Sequence, residues 1–168
     1  QELTARSFIY LERALPEPEY SFHHVLVRDA IYQALPHEQR ARLHHQAADA
    51  LAVRYAADLL PHVETLAYHY WAGNDQRQAL PYLLQAGEKA RRSYANAAAA
   101  DYFQRALSLL ATQPISSATQ GQRLAALTGL GQLFTVTSEF AQAEGYLRQA
   151  ILLSEAMNAP MTIRARLH

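Results

Sequence analysis

Two short apolar runs open the chain. Phe8, Ile9, Tyr10 and Leu11 form one and Tyr20, Ser21 and Phe22 the other; between them Leu15-Pro16-Glu17-Pro18-Glu19 breaks the pattern with two prolines. Aromatic and β-branched residues bounded by proline read as the strands of a hairpin, with a loop too long for a tight two-residue turn. Two strands alone are marginal in water, so this hairpin needs a surface to lean on, either the following helices or an N-terminal partner. From His24 the spacing becomes helical. Val25, Leu26, Ala30, Ile31 and Leu35 fit a first helix, which Pro36 stops. A second, over about residues 37–55, would carry Leu43, Ala47, Ala50, Leu51 and Tyr55 on its apolar stripe. After Pro61 a short helix holds Val63, Leu66, Ala67, Tyr70 and Trp71; Gly73 reads as its terminating glycine and Asp75 as the cap of the next, over about 76–93. Further helices are expected over roughly 95–111, 119–137 and 138–157, with Pro114 in a polar loop between the first two of these. The last residues, Ile163 to His168, again read as helical and lack a cap.

Composition supports that pattern. Thirty-two Ala and twenty-four Leu stand against five Val and five Ile, which favours helices and leaves little material for a large sheet. A chain of 168 residues can bury roughly 70% of its unfolded surface, enough for one ordinary core. Lys plus Arg and Asp plus Glu are fifteen each, so no basic footprint for nucleic acid exists and no nucleic-acid partner is expected. The absence of Cys removes disulfides, thiolate metal sites and thiol nucleophiles. No apolar run reaches the ~18 residues that span a bilayer, so the expectation is a cytoplasmic protein with no membrane partner. A start at Gln1 and an uncapped end read as a piece cut from a longer polypeptide.

Internal repetition is the strongest signal. Ala79, Leu83 and Ala86 align with Ala99, Phe103 and Ala106, and both with Ala143, Leu147 and Ala150. Small, large and small residues at spacings of four and three lie on one helix face, where the small ones admit a neighbouring helix. Upstream sit Leu66, Ala67 and Tyr70 in one copy and Leu130, Gly131 and Phe134 in another. This order resembles the tetratricopeptide repeat, a helix–turn–helix unit of about 34 residues. The resemblance implies an all-α, right-handed helical solenoid of about seven helices with a small N-terminal β-hairpin. Ala79 and Ala99 are only twenty residues apart, so the helix between Asp75 and Tyr94 must serve two units at once. Ala99 and Ala143 are 44 apart, one repeat plus an insertion that falls at the Pro114 loop.

The first half of the chain carries a second resemblance. Phe22, His24, Leu26, Arg28, Asp29 and Tyr32 form one motif; Arg40, Leu43 and His44 follow, and then Leu66, Ala67, His69, Tyr70, Ala72 and Gly73. The pattern resembles the stretch after the ATPase module in bacterial signalling proteins of the STAND class, which are fused to cyclase, kinase or transcription-regulator domains. It covers about residues 3–112. It implies two parts: residues 1–60, a hairpin and two helices forming the tail of a winged-helix-like linker, and residues 61–168, truncated tetratricopeptide-like repeats. No phosphate-binding Gly-rich loop is present and the single lysine, Lys89, lies within a helix. Any ATPase or cyclase activity is expected to lie in other parts of such a parent.

Eight His in a Cys-free chain invite a metal or catalytic reading. His23-His24 and His44-His45 are adjacent pairs, however, and adjacent helical residues point about 100° apart, so only one of each can face a shared centre. His24 and His44 are expected to pack, hydrogen-bonded, between the hairpin and the first two helices, and Arg28 and Asp29 to form ion pairs that hold this segment to its neighbours. Ser21, His24 and Asp29 make a triad only on paper, without an oxyanion site. No catalytic residue, metal or cofactor is assigned. Gly129 and Gly131 are read as helix-contact residues rather than a dinucleotide motif. By the tetratricopeptide resemblance, Glu64, Tyr68, Trp71, Glu88, Arg91, Gln132 and Thr135 would project into a concave groove.

The function expected is a non-catalytic interaction and regulatory module, binding a protein, a peptide, an inducer or other domains of its own parent. The alternatives are a purely structural linker without a ligand or, further off, a helical enzyme using the histidines. The uncapped C-terminal helix could also pair two copies as a homodimer.

Overall fold

The computed structural model describes residues 8–14 and 19–158. The proline-rich hairpin loop and the helix expected over 163–168, with its dimer contact, lie outside the described residues. Strands β1 (Ile9–Arg13) and β2 (Glu19–Phe22) pair antiparallel, Ile9 opposite Phe22 and Leu11 opposite Tyr20, with an irregularity between Leu11 and Arg13. Ser21 Oγ donates to Glu12 across the ribbon. Seven helices follow among the described residues: α1 (Val25–Ala34), α2 (His37–Arg54), α3 (Val63–Ala72), α4 (Gln76–Arg92), α5 (Asn96–Ala111), α6 (Ser117–Val136) and α7 (Phe140–Asn158). A 3₁₀ turn at Leu60–His62 leads into α3. The molecule is thus mostly helical with one small hairpin.

From α2 onward each helix packs on the next, and α4 also meets α6. The α4 helix therefore contacts α3 before it and both α5 and α6 after it. The repeated triplets carry these contacts. Ala79, Leu83, Ala86, Ala99, Phe103, Ala106, Ala143 and Ala150 are all buried, as are Leu66, Ala67, Tyr70, Leu130, Gly131 and Phe134. One apolar cluster joins Ala48 of α2 to residues of α3, α4 and α5; a second joins α4, α5, α6 and α7 around Phe103 and Leu130.

Three glycines explain how closely these helices approach. A methyl on Gly87 would stand 2.8 Å from the Phe103 ring and one on Gly129 2.6 Å from it, so Phe103 fills a slot cut by glycines of α4 and α6. A methyl on Gly131 would stand 2.5 Å from Leu147. Both Gly129 and Gly131 thus serve helix contact, as expected.

The turns between successive helices share one geometry. Asn74, Tyr94 and Ser138 adopt the left-handed conformation, with φ of 56°, 60° and 64°. In each case the next residue's N–H reaches back to close the helix: Asp75 to Tyr70 O, Ala95 to Ala90 O and Glu139 to Phe134 O, at 3.0, 2.9 and 2.8 Å. Gly73 is therefore not the left-handed cap that the sequence indicates; its φ is −77° and Asn74 takes that role. Glycine is needed at 73 because a methyl there would meet backbone atoms of α2, His45 N at 2.9 Å and Ala41 O at 3.2 Å. Asp75 does cap α4, its carboxylate accepting from Gln78 N–H at 3.0 Å.

The N-terminal segment is bound differently. No residue of α1 is buried, and Tyr10, Leu11, Tyr20, Val25 and Leu26 are exposed, Leu26 by 77%. The hairpin touches α1 and finds no broader surface among the described residues. The apolar stripe of α2 is also rotated by one residue from the expected Leu43–Ala47–Ala50 line: Leu43 and Ala50 are exposed, and His44 and Ala48 point inward. On that inward face Ala48 joins the apolar core and His44 makes a polar junction with α1 and α3.

Candidate functional site

That junction is a chain of side chains from three helices. Tyr32 Oη on α1 lies 2.9 Å from His44 Nε2 on α2, and His44 Nδ1 lies 2.9 Å from His69 Nδ1 on α3. Tyr68 sets its ring edge-on to that of His44, 5.3 Å between centroids. Between two Nδ1 atoms one must donate and the other accept, so the pair can hold at most one Nδ1 proton in this contact. Burial pushes the His44 pKa down, reinforced by the Arg40 guanidinium; burial also lowers that of His69, with His44 adding to it. Burial likewise raises the Tyr68 hydroxyl, with Tyr32 adding to the shift and Arg28 opposing it.

A second polar knot secures α2 to the α3–α4 turn. His45 places Nε2 3.0 Å from Asp75 and Nδ1 3.1 Å from Asp49. Tyr70 donates to Asp49 at 3.0 Å, and burial followed by that bond pushes its hydroxyl up to about 12.

Beside the histidine chain lies an open cleft of about 580 Å³ among α1, α2, α3 and α5. Tyr32, Tyr68 and Trp71 supply rings, Arg40 and Arg105 guanidinium groups, and His37 and Asn74 further polar lining. Each arginine lies over a ring: Arg40 5.2 Å from the Tyr32 centroid, Arg105 5.3 Å from that of Trp71. Arg105 is also paired with Asp101, at 2.9 and 3.0 Å. Arg40 is held by the neutral Gln33 amide at 3.2 Å.

Of the seven residues expected to share a groove, only Tyr68 and Trp71 line this cleft. Glu64 takes Lys89 at 2.7 Å, and Lys89 also donates to the Leu60 and Pro61 carbonyls, tying α4 to the 3₁₀ turn. Glu88 receives Arg91 through two bonds of 2.9 Å and Arg92 through one of 2.7 Å; the Arg91 bond is the main cause that lowers its pKa. Thr135 lies in a separate shallow cleft with Phe140 and Leu147, and Gln132 is exposed on α6. The residues that the groove expectation missed are Tyr32, Arg40 and Arg105; each arginine meets a ring that belongs to a different helix, so no local spacing marked them.

The motif of the first half divides in the same way. Tyr32, Arg40, His44 and His69 come together at the junction. Phe22 pairs with Ile9 in the hairpin. His24 does not pack as expected: it precedes α1 without a side-chain cap, and its ring is exposed, 6.4 Å from that of His23. Arg28 and Asp29 bond each other, at 2.8 Å, on a surface where both are more than half exposed, rather than holding α1 to its neighbours. Among the described residues no three His, Asp or Glu side chains gather as a metal-binding group, and no helix is long and apolar enough to cross a membrane.

No family model matches the chain. Over 118 residues, 70% of its length, it is 27% identical to an uncharacterized protein of Rhizobium meliloti (strain 1021). The chain spans 12% of that relative's length. No solved structure matches it.

Proposed function

We propose that this chain is a non-catalytic regulatory module of a larger signalling ATPase of the STAND class. In this reading its helices from Val63 onward stack as tetratricopeptide-like repeats, and it takes a protein, a peptide or another domain of its parent as ligand. Burial of the repeated small–large–small residues, with the same left-handed turn between three pairs of helices, supports the repeat reading. The observation that carries the interaction reading is the cleft. Half-buried Trp71 and exposed Tyr68 stand open to solvent beside two arginines, and tryptophan, tyrosine and arginine are the residue types that dominate binding energy at interfaces. A ligand favouring one arrangement of this region would bias the ATPase switch by its differential affinity. The test is ATP turnover by the full-length polypeptide carrying this chain, wild type against Trp71→Ala. A regulatory module changes turnover or its response to the partner; a passive spacer leaves both unaltered.

A further inference from the structure

The charge in the cleft specifies more than a generic partner. Asp101 neutralises Arg105, which lies over the Trp71 ring. Arg40 is different: among the described residues no carboxylate lies within ion-pair distance of it, its hydrogen-bond partner is the neutral Gln33, and it shares the cleft with three aromatic rings. No carboxylate side chain lines the cleft. A half-buried guanidinium fixed against a ring is pre-organised to accept a carboxylate through two parallel bonds. The surrounding rings would be covered by apolar side chains. The volume is in the range of roughly 300–1,000 Å³ used for ligands, but the cleft is open to solvent rather than an enclosed cavity, which suits a peptide segment laid across it.

We propose that this cleft binds an acidic peptide segment, one carboxylate on Arg40 and a neighbouring apolar side chain against Trp71 and Tyr68. The assignment rests on the reading of the chain as a partner-binding module and names the chemistry of that partner.

Trp71 is the sole tryptophan, so its emission reports the cleft directly. The 168-residue chain is titrated at low salt with a short capped peptide alternating Glu and Leu, with the same peptide carrying Gln for Glu, and with glutarate. The Glu–Leu peptide should shift Trp71 emission saturably and bind about tenfold or more tighter than the Gln–Leu peptide, the worth of one charge-assisted bond. Arg40→Gln should reduce the Glu–Leu affinity to that of the Gln–Leu peptide and leave the latter unchanged, with the far-ultraviolet circular dichroism and melting temperature preserved. Equal affinity for the two peptides, or undiminished Glu–Leu binding to Arg40→Gln, overturns the proposal. Should Arg40→Gln fail to fold, Arg40→Lys replaces it, keeping the charge without the fork, and must still weaken the Glu–Leu peptide. Glutarate binding as tightly as the Glu–Leu peptide overturns the peptide assignment in favour of a small carboxylate. If no peptide binds while Trp71→Ala still alters ATP turnover of the parent, the acidic partner is wrong and the regulatory reading stands. If the peptide binds while turnover is unmoved, the reverse holds.

Discussion

Alanine at Gly129 tests whether Phe103 is the wedge that sets the spacing of α4, α5 and α6. Any glycine-to-alanine change inside a helix gains about 0.8–1.0 kcal/mol of propensity. Two glycines isolate that gain, since a methyl on Gly121 or Gly145 meets nothing within 4 Å. At Gly129 the same methyl would lie 2.6 Å from two carbons of the Phe103 ring, well inside the roughly 3.5–4.0 Å of carbon–carbon contact. The ring cannot retreat, because it is 3% exposed and Gly87 backs it at a similar distance. Overpacking of this kind costs about 1–3 kcal/mol. Gly121→Ala and Gly145→Ala should therefore melt above wild type, and Gly129→Ala should melt below both by an amount set by the overpacking. At about 2–4 °C per kcal/mol for a chain of this size, the gap is roughly 2–12 °C in a thermal scan followed by circular dichroism. Phe103→Leu, harmful alone, should cost less in the Gly129→Ala background, a coupling that a double-mutant cycle reads directly. Gly131→Ala should be milder, because the atoms in the way belong to the half-buried, rotatable side chain of Leu147. If Gly129→Ala melts together with Gly121→Ala, Phe103 is not a wedge and the account of this core is wrong.

Tyr94 holds a left-handed conformation at φ 60° while 79% exposed, so Tyr94→Asn should relieve roughly 1 kcal/mol and raise the melting temperature; an unchanged value would refute strain there. The His44–His69 pair should make the fold acid-sensitive. Both pKa values are lowered in the fold from 6.5, so the unfolded chain binds more protons: the stabilisation is whole above pH 6.5 and is lost as pH falls through the lowered folded values. Each histidine can contribute up to about 1.4 kcal/mol per pH unit in that window, and urea titrations should show His69→Gln with a shallower acid slope than wild type; identical slopes would exclude the pair as its source.

Apolar and small residues made the helical stack legible, and polar ones hid the rest. Leu83, Phe103 and Leu130 are buried where the repeat register puts them, and the expected helix bounds lie within about two residues of those observed. The register worked because steric size at fixed spacing is a local property of one helix. His44 could not be placed the same way. A histidine turns inward only if partners wait for it, and Tyr32 and His69 are 12 and 25 residues away in the chain. Gly73 misled for a related reason: a glycine near a helix end signals a left-handed cap, yet here the absent side chain makes room for the α2 backbone. Pro81 lies inside α4 without breaking it, early in the helix and with exposed Arg77 the residue whose carbonyl loses its donor. The groove expectation missed Arg40 because it took one face per helix of a regular array, and the cleft includes α1 and α2, which lie outside that array.

The way α1 is attached decides how a ligand in the cleft would act on the fold. A helix held by buried apolar surface separates only at a cost near that of global unfolding, but α1 buries no residue, and its links to the helices after it are polar: the run from Tyr32 through His44 to His69, and Arg40 on Gln33 and the Tyr32 ring. Tyr32 lines the cleft from α1, Arg40 from α2, Trp71 from α3 and Arg105 from α5. A ligand in contact with Tyr32 and Trp71 together finds its full site only when α1 is docked. Occupancy then favours docking by the difference in affinity between the docked and undocked forms, at most RT ln(1 + [L]/Kd), about 2.7 kcal/mol at a hundred times Kd, against about 0.5–1.5 kcal/mol for a single hydrogen bond. Amide exchange of α1 is the measurement: peptide that occupies the cleft should slow it while leaving the buried amides of α5 at their own rate. Exchange that slows everywhere alike would mean that α1 opens only with the whole fold, and the cleft would then have nothing to switch.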